Sequence, residues 1–290
     1  MLITQVARYV STRFNCRDTE LVNLVVSKSR NGSLDGEPLV SVIIPTRDKL
    51  PLLKKCITSL LERTNYKNFE VIVVDNDSVE PETLDYLRSL GSNQVKVINF
   101  PGAFNYSEIC NFASTVAKGD YLCLLNNDTY ILKDDWLSDL LGHATLPNVG
   151  VVGAKLLYPN GLVQHSGIAL GKKGVASHPY RGKQIETTPN ECFEVEAVTF
   201  ACALISKSTF LQLNGLDEKF PVGLNDVDFC KRTTHAGYVN VLCSECLVNH
   251  SESMSRPSMK SIHGVFQAYK DVIRYLRIYG STAWVDRYFN

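Results

Sequence analysis

The chain has 290 residues, 44% hydrophobic and 21% charged, the proportions of a globular protein with one large or two small domains. Thirty basic and thirty acidic residues leave a formal net charge of zero, which argues against nucleic acid or an acidic partner. No stretch approaches the ~18 consecutive apolar residues of a membrane span, and the N-terminus lacks a secretory signal, so the expected compartment is the cytoplasm.

Residues 1–38 carry a short amphipathic pattern (Val6, Tyr9, Val10, Phe14), then a Gly/Ser/Asn-rich stretch that reads as an arm and linker. Residues 39–44 are a continuous apolar strand, ended by Pro45-Thr-Arg-Asp48. A helix over 52–61 follows, with Leu53, Cys56, Ile57 and Leu60 on one face. A second strand, 69–74, stops at Asp75-Asn-Asp-Ser78. Then come a helix over 82–90, a strand over 95–98, a helix over 107–117 and the apolar strand 121–125. Strands alternating with helices at this spacing predict βαβ units and a mostly parallel sheet, and strands apolar throughout predict helices on both of its faces. Beyond Asp134 the pattern gives a helix (135–144), a strand (149–152), long loops or irregular hairpins (158–194), one strand over 195–205, and helices over 207–213 and 225–236. A strand over 238–242 and a short turn precede His250, and the last helix spans 261–279.

Open α/β sheets bind ligands outside the carboxyl ends of their strands. The strand 121–125 stops there at Asn126-Asn-Asp-Thr129, whose oxygens suit a hard divalent cation on phosphates but also form an ordinary turn. Thr46, Asp48, Asp75 and Asp77 belong to neighbouring strand ends and can hydrogen-bond a base and ribose, or else simply cap helices, Asp48 near Leu50 and Ser78 near Glu82. No GxGxxG and no GxxxxGK[ST] is present, so phosphates must be neutralised another way, and a metal at Asp128 fills that need. Asp226 and Asp228 flank a helix start, where a carboxylate is stabilised as the anion and can act as a general base. Asp228 and Arg232 stand at helical ion-pair spacing. His250 could reach the Asp128 metal, and His165 lies in a loop on the same side.

Nine cysteines, at 16, 56, 110, 123, 192, 202, 230, 243 and 246, are scattered singly and in odd number, as in a reducing compartment. Only Cys243-Ser-Glu-Cys246 has a metal-like spacing, and without a second pair it makes a poor zinc site.

Four segments together resemble the family 2 inverting glycosyltransferases with a GT-A fold: Val42-Ile-Ile-Pro-Thr-Arg-Asp48, Val73-Val-Asp-Asn-Asp-Ser78, Leu124-Leu-Asn-Asn-Asp-Thr129 and Leu224-Asn-Asp-Val-Asp-Phe229. Phe104-Asn-Tyr-Ser107 with Asn111-Phe-Ala113, Val152-Gly-Ala-Lys-Leu-Leu-Tyr-Pro159 and Val163-Gln-His-Ser-Gly167 resemble a bacterial subgroup that builds O-antigen and other surface polysaccharides, rhamnosyltransferases included. The resemblance covers about 39–256, with 257–290 as a helical extension. It implies a Rossmann-like α/β sheet, a nucleotide-diphosphate sugar donor (dTDP-rhamnose among the candidates), Mg2+ or Mn2+, and a hydroxyl acceptor on a growing, lipid-linked glycan.

By position it implies nucleotide contacts at Pro45, Thr46, Asp48, Asp75, Asp77, Asn111 and Asn127, metal ligation by Asp128 and His250, and a general base at Asp226. Asn126, His165, Asn225 and Arg232 fall in the donor or acceptor pocket. Asn126 and Asn225 stand where the family pattern has acids, which keeps open a degenerate nucleotide-sugar or glycan-binding module. The C-terminal stretch 260–290 is basic and aromatic (Phe266, Tyr269, Lys270, Arg274, Tyr275, Arg277, Tyr279, Trp284, Arg287), and its helix either packs on its own domain or lies on a membrane surface.

Overall fold

Alternation of apolar side chains toward both faces builds the centre of the molecule. Val40–Thr46 (β1) is buried along its whole length, with Val42 and Ile44 in one apolar cluster and Ile43 in the other. Phe69–Asp75 (β2) and Tyr121–Leu125 (β4) divide their side chains the same way. A strand covered on both faces has no polar side to show, which is why these segments are apolar apart from their ends and the hydrogen-bonded pair Ser41 and Glu70.

The computed structural model describes residues 37–91, 94–171, 175–251, 262–280 and 286–289. The chain divides into Met1–Pro38 and Leu39–Asn290, and every described helix and strand belongs to the second unit. The amphipathic pattern expected at Val6–Phe14, the linker up to 36, and Trp284 of the C-terminal stretch lie outside the described residues.

Helix α1 (Leu50–Glu62) follows β1, and α2 (Pro81–Ser89) follows β2. Then come β3 (Val95–Asn99), α3 (Tyr106–Val116), β4, β5 (Thr129–Ile131), α4 (Trp136–Ala144) and β6 (Val149–Leu157). The order across the sheet is β3-β2-β1-β4-β11-β6-β12-β10, where β11 is Cys202–Ser206, β12 is Val239–His250 and β10 is Phe193–Val195. Strands β1 to β4 pair in parallel, β11 runs antiparallel between β4 and β6, and β12 is parallel to β6. The register sets Thr46 opposite Asp75, so the carboxyl ends of β1 and β2 stop side by side. Helices α1, α2 and α4 cover one face. Helices α3, α5 (Lys207–Gln212), α6 (Asn225–His235) and α7 (Ile262–Tyr279) cover the other.

Two expectations are corrected. Residues 195–205 are not one strand. The chain leaves the sheet after Val195 and re-enters at Cys202, and because 195–203 are buried apart from Thr199, apolar content could not mark the break. No turn separates two elements before His250, since β12 runs twelve residues and absorbs Ser244-Glu-Cys246 as a bulge between Cys243 and Leu247. Within 158–194 the irregular-hairpin alternative is the one found: β7 (Val163–His165) pairs with β6 through a register shift, and β8 (Ala169–Leu170) pairs with β9 (Ala176–Ser177).

Helix α7 packs on its own domain. Tyr275 and Tyr279 are buried in the second cluster, the Tyr279 hydroxyl donates to Asp228 Oδ1 at 2.7 Å, and Arg274 pairs with Asp217. Among the described residues no helix is long and apolar enough to cross a membrane.

Gly153 of β6 lets the excursion between β10 and β11 lie down on the sheet, because a Cβ there would run into the Val198 side chain. The Gly153→Ala protein should be destabilised by about 1–3 kcal/mol through overpacking. Urea denaturation would show it as a lower midpoint with an unchanged slope.

Candidate active site

A cleft of about 480 Å³ opens over the carboxyl ends of β1 and β4, within the size range of small-molecule sites. Pro45, Thr46, Asp48, Asn126, Asn127, Asn225 and Asp226 line it, so seven of the expected site residues converge. They come from chain segments as much as 181 positions apart, brought together by the β1–β4 pairing and by the loop before α6.

The floor is held by short side-chain links. Asn127 donates through Nδ2 to Thr46 Oγ1 at 2.9 Å, tying β4 to β1. Asp48 accepts at Oδ1 from the Val79 and Glu80 amides at 2.7 and 2.9 Å, and its own amide donates to Ser78 Oγ. Neither Asp48 nor Ser78 caps the helix assigned to it, since α1 begins after Lys49 and α2 after Glu80 without a side-chain cap. Instead Asp48 stitches the β1–α1 and β2–α2 loops into one wall. Asp48 and Lys49 are both left-handed, at φ 53° and 59°, which turns the chain sharply at the mouth.

Asp128 and His250 meet beside this floor. β12 pairs antiparallel with β5, which sets His250 against Thr129 and brings its Nε2 to 3.0 Å from Asp128 Oδ1. Both side chains are buried. The tautomer of His250 follows from Gln164. The Gln164 Nε2 donates to the His250 carbonyl at 3.1 Å, so its Oε1 faces His250 Nδ1 at 2.6 Å and must accept a proton from it. The Nε2 lone pair then points at the carboxylate, with Asn126 Nδ2 at 3.4 Å. A lone pair facing a carboxylate oxygen at 3.0 Å is repulsive until positive charge stands there, as a proton on Nε2 or a divalent cation bound by both. One carboxylate and one imidazole held by an outer hydrogen bond suit Mg2+ or Mn2+, with further oxygens from a ligand's phosphates. The residues present therefore fit a divalent cation.

Asp226 stands in the first turn of α6, after Leu224 in the left-handed region at φ 58°. The Asn225 Oδ1 accepts from the Asp226 amide at 2.8 Å, and Asp226 Oδ1 accepts from the Val227 amide at 2.8 Å. Helix polarity and that amide both favour the anion.

The other expected residues sit elsewhere. Asp75 accepts from the Ser78 amide and Asp77 from that of Gly102, shaping loops behind the cleft wall. Asn111 uses its amide on Leu216 and Glu218, fastening α3 to the turn after α5. Arg232 pairs with Asp228 at 2.9 Å and donates to the carbonyls of Leu213 and Gly215. Neither Asn111 nor Arg232 lines the cleft.

His165 is buried one layer down. Its Nε2 accepts from the amide of Thr199, a cleft residue, at 3.4 Å, which leaves the proton on Nδ1 to face His178 Nδ1 at 3.0 Å. Burial, and then the charges of His178 and His250, push its pKa well below the ordinary histidine value. Sequence reasoning missed the cationic mouth formed by Arg47 and Lys49, the walls formed by Tyr106, Thr199 and Phe200, and Gln164. Arg47, Tyr106 and Gln164 carried a signal, since each lies inside a matched motif; Lys49, Thr199 and Phe200 carried none.

Comparison with known proteins agrees with this architecture. Residues 41–213 match Glycosyl transferase family 2. The uncharacterized protein y4gI of Sinorhizobium fredii is 41% identical over 231 residues, 77% of this chain and 25% of that protein. The O-antigen biosynthesis protein RfbC of Myxococcus xanthus is 36% identical over 227 residues, 76% of this chain and 18% of its own length. The chain thus spans a quarter or less of these two relatives. GalNAc-T7 in complex with UDP, GalNAc and Mn2+ superposes with a TM-score of 0.67 at 16% identity, covering 85% of this chain and 49% of its own. The mannosyltransferase PcManGT from Pyrobaculum calidifontis, with GDP-Man and Mn2+, gives 0.59 at 14% identity, covering 95% and 75%. These likenesses show the GT-A fold.

A buried neutral histidine has a signed effect on stability. The unfolded chain binds a proton at His165 below about pH 6.5 while the folded chain refuses it, so stability is full above that pH and falls as the pH drops. The loss should reach at most about 1.4 kcal/mol per pH unit. Thermal melts between pH 7.5 and 5 should show a fall that is shallower in His165→Gln.

Proposed function

The chain belongs to glycosyl transferase family 2, and from that premise we propose that it moves a sugar, with inversion, from a nucleotide-diphosphate donor to a hydroxyl of a growing bacterial surface glycan. The observation that carries the reading is the buried Asp128–His250 pair, which borders the cleft residue Asn126, beside a cleft that Thr46, Asn126, Asn127 and Asp226 line. The similarity to the O-antigen biosynthesis protein supports the acceptor class. dTDP-rhamnose is the first donor to test, and UDP- and GDP-sugars come next.

The roles follow from position and charge. The wall of Thr46 and Asp48 offers hydrogen bonds to the nucleoside, and Arg47 and Lys49 at the mouth attract its phosphates. Asp128 and His250 would hold a divalent cation, and when bound it supplies positive charge that stabilises the leaving diphosphate. Gln164 keeps His250 in the tautomer that leaves Nε2 available. Asp226, anionic at the start of α6, accepts the proton of the incoming hydroxyl as that oxygen attacks the anomeric carbon from the side opposite the diphosphate. Tyr106 and Phe200 restrict the reacting groups to one approach, and Tyr106 is itself fixed by donating to the Phe200 carbonyl at 2.9 Å.

The amides at Asn126 and Asn225 do not by themselves favour a binding-only module. Asn126 borders His250 and Asn225 fixes the Asp226 amide, so both support the acids that remain. The Asp226→Asn protein separates the two readings. Released nucleoside diphosphate would be measured with a panel of free sugars as acceptors, and with water alone. A drop of roughly 10²–10⁴-fold, with donor affinity unchanged, is expected of a lost general base. A rate within threefold or so of wild type would remove Asp226 from catalysis.

A further inference from the structure

On the side of the sheet covered by α4, four side chains that the transfer reaction does not use come together. They are His143 at the end of α4, Cys192 just before β10, and Cys243 and Glu245 in the β12 bulge. One ligand atom from each lies within 4.8 Å of all the others. We propose that His143, Cys192, Cys243 and Glu245 form a structural zinc site that clamps the β12 bulge to α4 and to the return of the 158–192 segment.

The donor set selects the metal. Two sulfurs, one imidazole nitrogen and one carboxylate oxygen make a four-coordinate tetrahedral set for Zn2+, whereas Mg2+ and Mn2+ prefer oxygen. Zinc bonds of about 2.0–2.3 Å place tetrahedral ligands about 3.3–3.8 Å apart, so side-chain movements of about an ångström close the cluster. The cleft site, by contrast, offers a carboxylate and an imidazole and no sulfur. The inference is independent of the transfer reading.

Local structure prepares the sulfurs. The Ser244 amide donates to Cys192 Sγ at 3.3 Å. The Glu245 amide, the Cys243 thiol and His143 also hydrogen-bond to that sulfur, so the four groups already face one point. The bulge that carries Cys243 and Glu245 occurs where the β12–β6 register shifts between Cys243 and Leu247. A disulfide between Cys192 and Cys243 would need neither the imidazole nor the carboxylate, and their presence at the same point favours a metal. The pairing also revises the expectation at Cys243-Ser-Glu-Cys246. Cys246 faces inward to Cys202, and Cys243 finds its partner in Cys192 instead.

The test uses the full chain, freshly purified under reducing conditions and stripped with a chelator. Titration with Co2+ should give a thiolate-to-cobalt charge-transfer band and tetrahedral visible bands at one equivalent, and Zn2+ should displace them. Cys192→Ser should abolish the charge-transfer intensity or weaken Zn2+ binding at least about tenfold, and His143→Gln should weaken it comparably. Asp128→Ala should leave the cobalt spectrum unchanged, which separates this site from the cleft. Should Cys192→Ser fail to fold, the wild-type spectrum and His143→Gln still decide. The proposal is overturned by a wild-type protein without the thiolate band, by variants that bind like wild type, or by mass spectrometry finding Cys192 and Cys243 joined as a disulfide in the freshly isolated chain.

Discussion

The contact between Asp128 and His250, beside the cleft residue Asn126, is the interaction on which the proposed cation site depends. It exists because β12 runs unbroken to His250 and pairs there with β5, the short strand that follows the Asn126-Asn-Asp128 turn. Without that pairing β4 would end in an ordinary polar turn. With it, an imidazole lone pair and a carboxylate face each other at 3.0 Å in a buried place, an arrangement that calls for a cation. Gln164 completes the geometry from a third strand, so β4–β5, β7 and β12 fix the same few atoms.

The rest of the cleft follows from the parallel sheet. Two-sided burial makes β1 and β4 largely apolar, so the polar residues of the cleft come where these strands stop, and both stop at the same edge. Asn127 and Thr46 join those ends, and Asp48 joins the next loop. On the opposite wall, Gly153 lets the excursion after β10 settle on the sheet, so that Thr199 and Phe200 face the same space. Asp226 arrives from the start of α6, and the other end of that helix's first turn is locked by Asp228 to Arg232 and Tyr279. Residues that look catalytic by type divide cleanly here. Asp226 faces the cleft, while Asp228, two positions on, is spent on packing.

Much of this was legible in the sequence where a side chain's role is set by its place at a strand end. Thr46, Asp48, Asn126 and Asn127 could be assigned to one cleft because apolar runs ending in polar residues declare the sheet edge, while Asp226 was found from its helix start and from the family resemblance. Asn111 and Arg232 could not be placed, since an amide or guanidinium on a helix does not reveal whether it points at a ligand or at a neighbouring loop. The break between β10 and β11 was hidden because its residues are almost all buried. The Ser244-Glu245 bulge looked like a turn because polar residues interrupt an apolar run in both cases. The cysteine–histidine cluster was out of reach, because His143, Cys192 and Cys243 are far apart in sequence and meet only through the β12–β6 register and the packing of α4.

The central claim is that the cleft binds a nucleotide-diphosphate sugar through a cation held at Asp128 and His250. The most direct test is thermal unfolding of the wild-type chain and of Asp128→Ala with dTDP-, UDP- and GDP-sugars, each with and without Mn2+. Ligands that bind only the folded state raise the melting temperature by mass action. A rise for one donor that requires Mn2+ and is lost in Asp128→Ala is the predicted result. The account is contradicted if no donor shifts the wild type, or if the shift persists without metal or in Asp128→Ala.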